Sequence, residues 1–204
     1  VHKRFSVSPF YPPFIVLRRI VYEELSQRLA NPCVGVFTSV DVCPSASCRS
    51  TWRAIVCRTL DVPDALHLEE VPEPGTGACG IRIRVHAAGL NFADSLMLRG
   101  RYQERPPLPF TPGLELAGEI DAVGAGVRGL RVGQRVMAVV NHGAFAEKAV
   151  ARADDVVPLP DDMDYVTAAG FAIAYGTAHG GLRWRADLHA GEVLLVHGAG
   201  GGVG

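Results

Sequence analysis

Short strand-like segments, separated by glycine and proline turns, constrain the fold of this chain more than any other feature. Ile81-Arg-Ile-Arg-Val85 alternates apolar and charged residues strictly, as a strand with one buried and one solvated face does. Similar segments recur along the chain at Arg53–Cys57, Leu66–Val71, Leu116–Val123, Gln134–Val140, Ala144–Val150 and Val156–Leu159. Because short strands at regular spacing are typical of closed or curled sheets, the sequence predicts a mainly β protein with a β-barrel or curled sheet.

A different pattern begins towards the C-terminus. Asp164 to Leu182 is rich in alanine, which predicts a helix, and Val193 to Val196 is a short apolar run typical of a buried parallel strand. Glycines follow that run at positions 198, 201 and 204. A strand that enters a glycine turn is how a dinucleotide-binding βαβ unit opens, because the glycine backbone can approach a pyrophosphate closely. The spacing is G-x-x-G-x-x-G rather than G-x-G-x-x-G, so a glycine-rich surface turn remains an alternative interpretation of this motif alone.

The first 51 residues differ in character from the rest. Apolar residues recur at helical spacing between Phe14 and Leu29, with arginines between them. This pattern indicates either a mitochondrial transit segment, against which Glu23 and Glu24 count, or an extension that does not belong to the folded domain. We therefore predict an extension over residues 1–51, a barrel domain over 52–182 and the start of a nucleotide-binding domain over 183–204. The ordered body is expected to begin near Arg53.

Composition excludes several classes of protein. With 48% hydrophobic residues and a formal net charge of -1, the 204-residue chain is typical of a globular protein without a basic nucleic-acid surface. No apolar stretch approaches the roughly 18 residues that a membrane-spanning helix needs. The five cysteines are scattered without a C-x-x-C pair, which argues against a disulfide framework and a cysteine zinc site. We expect a cytoplasmic protein, or a mitochondrial one if residues 1–30 are a transit segment, with neither nucleic acid nor membrane as a partner.

Six motifs occur in order from Asn91 to the end of the chain. They are Asn91-Phe-Ala-Asp94, Gly100-Arg-Tyr102, Pro109-Phe-Thr-Pro-Gly-Leu-Glu-Leu-Ala-Gly118, Val132-Gly-Gln-Arg-Val136, Gly143-Ala-Phe-Ala-Glu147 and Gly201-Gly-Val-Gly204. Through them the sequence from Arg53 to Gly204 resembles the zinc-free quinone oxidoreductase (zeta-crystallin-like) branch of the medium-chain dehydrogenase/reductase family. The resemblance implies a GroES-like β-barrel as the substrate domain, followed by the first strand of a Rossmann-type α/β domain that would continue beyond Gly204. It also implies the homodimer that is usual in the family.

The resemblance further implies that no metal takes part. A catalytic zinc needs three protein ligands and an open fourth position. Zinc-dependent relatives place a cysteine near the position of Asn91 and a histidine at that of Leu114, and neither residue present here is a useful zinc ligand. We therefore expect hydride transfer from NADPH without zinc, to a quinone or an α,β-unsaturated carbonyl compound.

Several residues acquire expected roles from the same resemblance. Asn91 and Tyr102 are the candidate catalytic residues, because an amide and a phenol can donate hydrogen bonds to a developing oxyanion. Asn91 is also expected to lie near the nicotinamide, and Thr177 aligns with a threonine that contacts its carboxamide. Gly198, Gly201 and Gly204 are expected to contact the pyrophosphate. Asp94 is expected to be a helix-capping or structural carboxylate. Glu115 matches the family's glutamate beside the pocket and is expected to be structural here, because no metal needs it. Leu96 replaces a tyrosine that several quinone reductases carry, which makes the expected pocket more apolar.

Two other functions remain open at this point. Some zeta-crystallin-like proteins serve as lens proteins or bind RNA, although the near-neutral charge and the lack of an interleaved basic and aromatic stripe weigh against RNA binding here. The chain could also be a truncated gene product without activity of its own. Because the helix that should follow the glycine turn is not part of the sequence, we expect the chain by itself to be inactive and not to bind NADPH measurably.

Overall fold

The computed structural model describes residues 51–61 and 66–204. The predicted extension, and with it the alternative of a transit segment, lies almost entirely in residues 1–50, outside the described residues. The described residues divide into two compact units, one that ends at Ala172 and one that comprises Ile173–Gly204. The boundary expected from the sequence, between residues 182 and 183, stays a prediction.

The larger unit contains two antiparallel sheets. In the first, β1 (Thr51–Cys57) pairs with β2 (Leu66–Pro72). The second has five strands in the order β6-β3-β4-β5-β7. Its members are β3 (Gly80–Gly89), β4 (Glu115–Val123), β5 (Arg135–Val139), β6 (Lys148–Arg152) and β7 (Val156–Pro158). The predicted mainly β fold is thereby confirmed.

The segment before β6 connects the two sheets. The predicted strand Ala144–Val150 is wrong in its first half, because the pairing of β6 with β3 begins only at Lys148. The residues before Lys148 also bond to β1: the Ile55 N–H donates to the Phe145 carbonyl at 2.9 Å, and the Glu147 N–H donates to the Arg53 carbonyl at 2.9 Å, while the Glu147 carbonyl accepts from the Val85 N–H of β3 at 2.9 Å. The sequence alternation is continuous through this segment, so it could not reveal that the chain changes partner.

The core lies on the inner face of the five-stranded sheet. Ile81 and Ile83 are completely buried, as the strict alternation of β3 predicts, and they belong to a cluster with Leu116 and Val136. Burying such aliphatic side chains contributes about 1.5–3 kcal/mol each. Outside this face, Arg82 lies in a half-buried network of ion pairs that also contains Glu73, Asp121 and Lys148.

Among the described residues, three short α-helices accompany the sheets: α1 (Phe92–Leu98), α2 (Tyr165–Ala169) and α3 (Phe171–His179). The single helix predicted over Asp164–Leu182 is therefore interrupted. Gly170 ends α2 with φ of -99° and ψ of 5°, which is not helical, and Gly180–Arg185 forms a wider π-helical turn. Glycine has low helix propensity, because its backbone loses more conformational freedom than that of other residues when it is fixed.

Helix α2 is anchored against the five-stranded sheet at its N-terminal end. The Tyr165 ring stacks on the His86 imidazole with 4.3 Å between centroids, and the Arg135 guanidinium lies 4.9 Å from the same ring. Ala168 and Ala169 are buried beside Ala117 of β4. The small alanine side chains allow the helix to approach the sheet closely, at the edge where β3 ends.

The last part of the chain differs from its prediction. Val193–Val196 is not a strand, and these four side chains are exposed. A strand needs a neighbour for its N–H and C=O groups, and none of the described residues pairs with this segment. Cys57 is a free buried thiol, whereas Cys79 is disulfide-bonded, which departs from the expectation that the cysteine spacing gave. Within residues 51–61 and 66–204, no helix combines the length and the apolar character that crossing a membrane requires.

Candidate functional site

Asn91 lies between the end of β3 and the first residue of α1. Its backbone is extended, with φ of -118° and ψ of 153°, as an N-cap residue requires. The Asn91 N–H donates to Asp94 Oδ2 at 2.7 Å, and the Asp94 N–H donates to the Asn91 carbonyl at 3.0 Å. The sequence spacing Asn-x-x-Asp therefore folds into a capping arrangement that fixes the backbone of Asn91. The expectation that Asp94 caps a helix is confirmed.

The side chain of Asn91 is held from a second direction. Its Nδ2 donates to Glu115 Oε1 at 2.8 Å. Glu115 is the first residue of β4 and is only 3% exposed, and its backbone is paired with Gly89 on one side and Val139 on the other. A residue held between two neighbouring strands has little freedom to move, so Glu115 gives the Asn91 amide a rigid acceptor.

Gly89 supplies the space that this arrangement needs. A Cβ atom at Gly89 would lie 2.4 Å from Glu115 Oε1 and 2.5 Å from the Ala169 carbonyl oxygen. Both distances are too short for non-bonded atoms in a packed protein interior. A residue without a side chain is therefore required where β3, β4 and α2 meet.

Asp94 is a buried carboxylate beside this pair. It is 1% exposed, and its Oδ1 has no hydrogen-bond partner within the described part of the chain. Burial raises the pKa of the Asp94 carboxyl, and the negative charge of Glu115 adds to the rise, while backbone N–H groups of Asn91 and Gly113 act against it. Two buried acidic groups thus contact Asn91, Asp94 at its backbone N–H and Glu115 at its side-chain amide.

Tyr102 lies in the same unit, and the charge of Asp94 affects the pKa of its phenol. Its side chain is 9% exposed. Burial raises the pKa of the Tyr102 phenol, and the charges of Glu104 and Asp94 raise it further, against a hydrogen bond with Gln103. The hydroxyl consequently keeps its proton around neutral pH and can act as a hydrogen-bond donor. Asp94 interacts with Asn91 and with Tyr102, so the structure brings the two predicted catalytic residues into one neighbourhood.

The positions at which relatives bind zinc have other roles here. Leu114 is 1% exposed and belongs to the core. Among the described residues there is no group of three or more histidine, cysteine or acidic side chains arranged to hold a metal ion. His142 stands edge-on to Phe110, with 6.2 Å between ring centroids, and removal from water lowers the pKa of its imidazole.

The remaining predicted cofactor residues lie in the second unit. Thr177 is half-buried on α3. Gly198 has φ of +75°, which favours glycine, and the Gly201 N–H donates to its carbonyl at 2.9 Å. A Cβ at Gly204 would lie 2.4 Å from the Gly198 carbonyl oxygen. The three glycines therefore form one compact turn.

The sequence did not reveal that Glu115 accepts a hydrogen bond from Asn91, or that a glycine is needed at position 89. The resemblance predicts a structural glutamate beside the pocket at Glu115, and nothing in the sequence singles out Gly89. The two lie 26 positions apart in the chain and face each other only through the pairing of β3 with β4. Strand register, rather than sequence spacing, determines this contact, so only the folded structure shows it.

Comparison with known proteins agrees with the fold. Residues 77–161 match the family model of the alcohol dehydrogenase GroES-like domain. A quinone oxidoreductase-like protein 2 homolog from Nematostella vectensis is 38% identical over 157 residues, which cover 76% of this chain and 43% of that protein. The human synaptic vesicle membrane protein VAT-1 homolog-like protein superimposes with a TM-score of 0.73 at 38% identity, covering 76% of this chain and 50% of that one.

A quinone oxidoreductase from Thermus thermophilus, solved alone and in complex with NADPH, aligns with a TM-score of 0.64 at 34% identity. That alignment covers 74% of this chain and 46% of the Thermus chain. The larger unit is thus a GroES-like domain of the alcohol dehydrogenase type. The chain belongs to the medium-chain dehydrogenase/reductase family, in its quinone oxidoreductase-like branch. It spans about half the length of the relatives that it matches.

Proposed function

We propose that this chain contributes the substrate half of an NADPH-dependent reductase, which transfers hydride to a quinone or to an α,β-unsaturated carbonyl compound without a metal ion. The observation that carries the proposal is the Asn91 amide, held at the N-terminus of α1 by Asp94 and Glu115. Relatives described as quinone oxidoreductases share the domain, and one of them was solved with NADPH, which supports the choice of cofactor and substrate class.

The residues present fit a dinucleotide. Cβ atoms built at Gly198, Gly200 and Gly202 would meet nothing within 4 Å, so a phosphate group can approach the backbone of this turn from the open side. Thr177 adds a hydroxyl that can hydrogen-bond a carboxamide. We assign Asn91, Thr177, Gly198, Gly201 and Gly204 to the cofactor. When bound, NADPH supplies a hydride equivalent and leaves as NADP⁺.

The protein's part in the reaction is to orient the reactants and to stabilise negative charge. As hydride reaches the acceptor, two electrons move onto its conjugated oxygen, which becomes an enolate or a hydroquinone anion, and a proton from solvent water then completes the reduction. Tyr102 retains its hydroxyl proton and can donate a hydrogen bond to that oxygen, while Asn91 offers an N–H. Preorganised donors of this kind contribute about 2.7–4 kcal/mol each to transition-state stabilisation when the site excludes water.

NADPH oxidation in the presence of acceptors tests the proposal. Because the chain spans about half of its relatives, the assay compares it with a fusion in which the C-terminal half of a related quinone oxidoreductase continues it. Fluorescence titration first establishes NADPH binding by the fusion. Turnover with quinones or enones, lost in Tyr102→Phe together with Asn91→Ala, is the expected result. A fusion that binds NADPH and reduces none of the acceptors would refute the reductase function.

A further inference from the structure

We propose that Glu115 is a positioning residue, which orients the side-chain amide of Asn91 so that one defined N–H faces the ligand. This inference deepens the proposed function and rests on it for the identity of the ligand, a carbonyl or carboxamide oxygen. The interaction itself is a property of the folded chain. It can therefore be tested whether or not the protein proves to be a reductase.

The first argument is the geometry of the contact. The distance of 2.8 Å between Asn91 Nδ2 and Glu115 Oε1 is that of a charge-assisted hydrogen bond. Glu115 is 3% exposed, so water does not compete strongly for its carboxylate. Its backbone lies between two paired strands, whereas Asn91 lies in the turn that leaves β3. The more rigid partner therefore determines the orientation of the more mobile one.

The second argument concerns which end of the amide faces Glu115. An asparagine side chain has an acceptor end and a donor end of nearly equal size, and only hydrogen bonds decide between them. An ionised carboxylate accepts and cannot donate, so it selects the NH₂ group. Within the described part of the chain Nδ2 makes this one hydrogen bond, which leaves its second N–H to donate elsewhere. Glu115 thus determines that Asn91 presents a donor.

The third argument is that the surrounding residues preserve the contact. Asp94 holds the Asn91 backbone at 2.7 Å, so the amide swings only about its own side-chain bonds. Gly89 leaves room for the Glu115 carboxylate, which a Cβ would approach to 2.4 Å. The Asp94 contact therefore restricts the backbone of Asn91, and the absence of a side chain at Gly89 allows the Glu115 carboxylate to stay within hydrogen-bond distance of the amide.

The side-chain amide signals of Asn91, measured by NMR on the ¹⁵N-labelled 204-residue chain, test the contact directly. The Asn91→Ser variant identifies the pair of signals by their loss. We expect the Nδ2 proton bonded to Glu115 to be shifted downfield and to exchange slowly, and Glu115→Gln to move both signals. Glu119→Gln is the matched control, since it makes the same change four residues along β4, at a carboxylate paired with Arg84, and should leave the signals in place. Unchanged Asn91 signals in a folded Glu115→Gln variant would overturn the proposal.

A double-mutant cycle tests the consequence for catalysis in the NADPH-binding fusion. Glu115→Gln is expected to lower kcat roughly 10- to 100-fold with little effect on KM, as loss of orientation does. In the Asn91→Ala background the same substitution should have no further effect, because Glu115 acts through Asn91. Equal losses in both backgrounds would show a merely structural role and refute positioning. Absence of turnover in the unsubstituted fusion would refute the proposed reductase function, while the NMR result would still decide the role of Glu115.

Discussion

Substitution of Gly89 by alanine perturbs the junction of β3, β4 and α2, next to the Glu115 carboxylate that holds Asn91. The backbone of Gly89 is not in the left-handed region, so an L residue can adopt its conformation without strain. The new Cβ would nevertheless lie 2.4 Å from Glu115 Oε1, 2.7 Å from Glu115 Cγ and 2.5 Å from the Ala169 carbonyl oxygen. Ordinary contacts need about 3.5–4.0 Å. Either the Glu115 side chain or α2 must therefore move by about 1 Å.

The expected cost follows from these contacts. Overpacking of a dense interior destabilises proteins by about 1–3 kcal/mol. If the Glu115 carboxylate moves away, the hydrogen bond to Asn91 is lost as well, which adds about 1.5–3 kcal/mol for a charged acceptor. At about 2–4 °C per kcal/mol for a chain of this size, the combined loss lowers Tm by roughly 5–20 °C.

Thermal unfolding monitored by circular dichroism measures this effect. Gly170→Ala is the control, because a Cβ at Gly170 meets nothing within 4 Å and φ of -99° suits alanine. Its Tm should stay within about 2 °C of the unsubstituted chain, consistent with a change of at most about 0.5 kcal/mol at a surface position. Equal Tm values for Gly89→Ala and Gly170→Ala would show that the junction of β3, β4 and α2 is not as tightly packed as described.

Three further outcomes follow from the larger unit. Asp164 caps α2, and its hydrogen bonds to Thr167 lower the pKa of its carboxyl, so the cap stabilises the fold fully above the unfolded-state pKa of about 3.9 and loses this effect as pH falls through the lower folded-state pKa. The difference in Tm between the unsubstituted chain and Asp164→Ala should therefore shrink at acid pH, and a difference that stays constant would contradict the capping role. Asp121→Asn removes one ion pair of the half-buried Arg82 and should lower the free energy of unfolding in urea by about 1–3 kcal/mol, whereas Glu119→Gln, at a more exposed ion pair, should lower it by at most about 0.5 kcal/mol. Equal decreases would show that the half-buried pair is no more stabilising than the exposed one. Burial raises the pKa of the Cys57 thiol, so iodoacetamide should modify Cys57 only after unfolding, and rapid labelling of Cys57 itself in the native chain, located by peptide mass spectrometry, would contradict its 1% exposure.

Much of the β structure was predictable from local pattern. Period-2 alternation identified β3, and the burial of Ile81 and Ile83 follows from it directly. Where the partner of a strand changes along the chain, as at Phe145, the alternation continues and conceals the change. The apolar run at Val193–Val196 shows the opposite failure, because its composition indicates a strand while none of the described residues pairs with it. The composition of a segment shows only that it is able to form a strand, and whether it does so depends on a neighbouring strand that can pair with it.

The candidate site was predictable only in part, for a related reason. Asn91 and Asp94 are three residues apart, and a capping motif is legible in sequence because its geometry is local. Glu115 approaches Asn91 only through the register of β3 and β4, which depends on the whole sheet. The raised pKa of Tyr102 depends on burial and on charges from Glu104 and Asp94, which adopt their places only in the folded chain. The sequence was thus sufficient to name Asn91 and Tyr102 as candidates, but the contacts that orient Asn91 and raise the pKa of Tyr102 require the folded structure.

The transfer of deuterium from NADPH to an acceptor tests the central claim most directly. The fusion that binds NADPH is incubated with a conjugated enone and with cofactor deuterated at the transferable position of its nicotinamide ring, and the product is analysed by mass spectrometry. The account predicts one deuterium at the β-carbon of the reduced enone, and a rate that falls roughly 100-fold in Asn91→Ala. A product without deuterium, or a rate unaffected by the loss of the Asn91 amide, would contradict it.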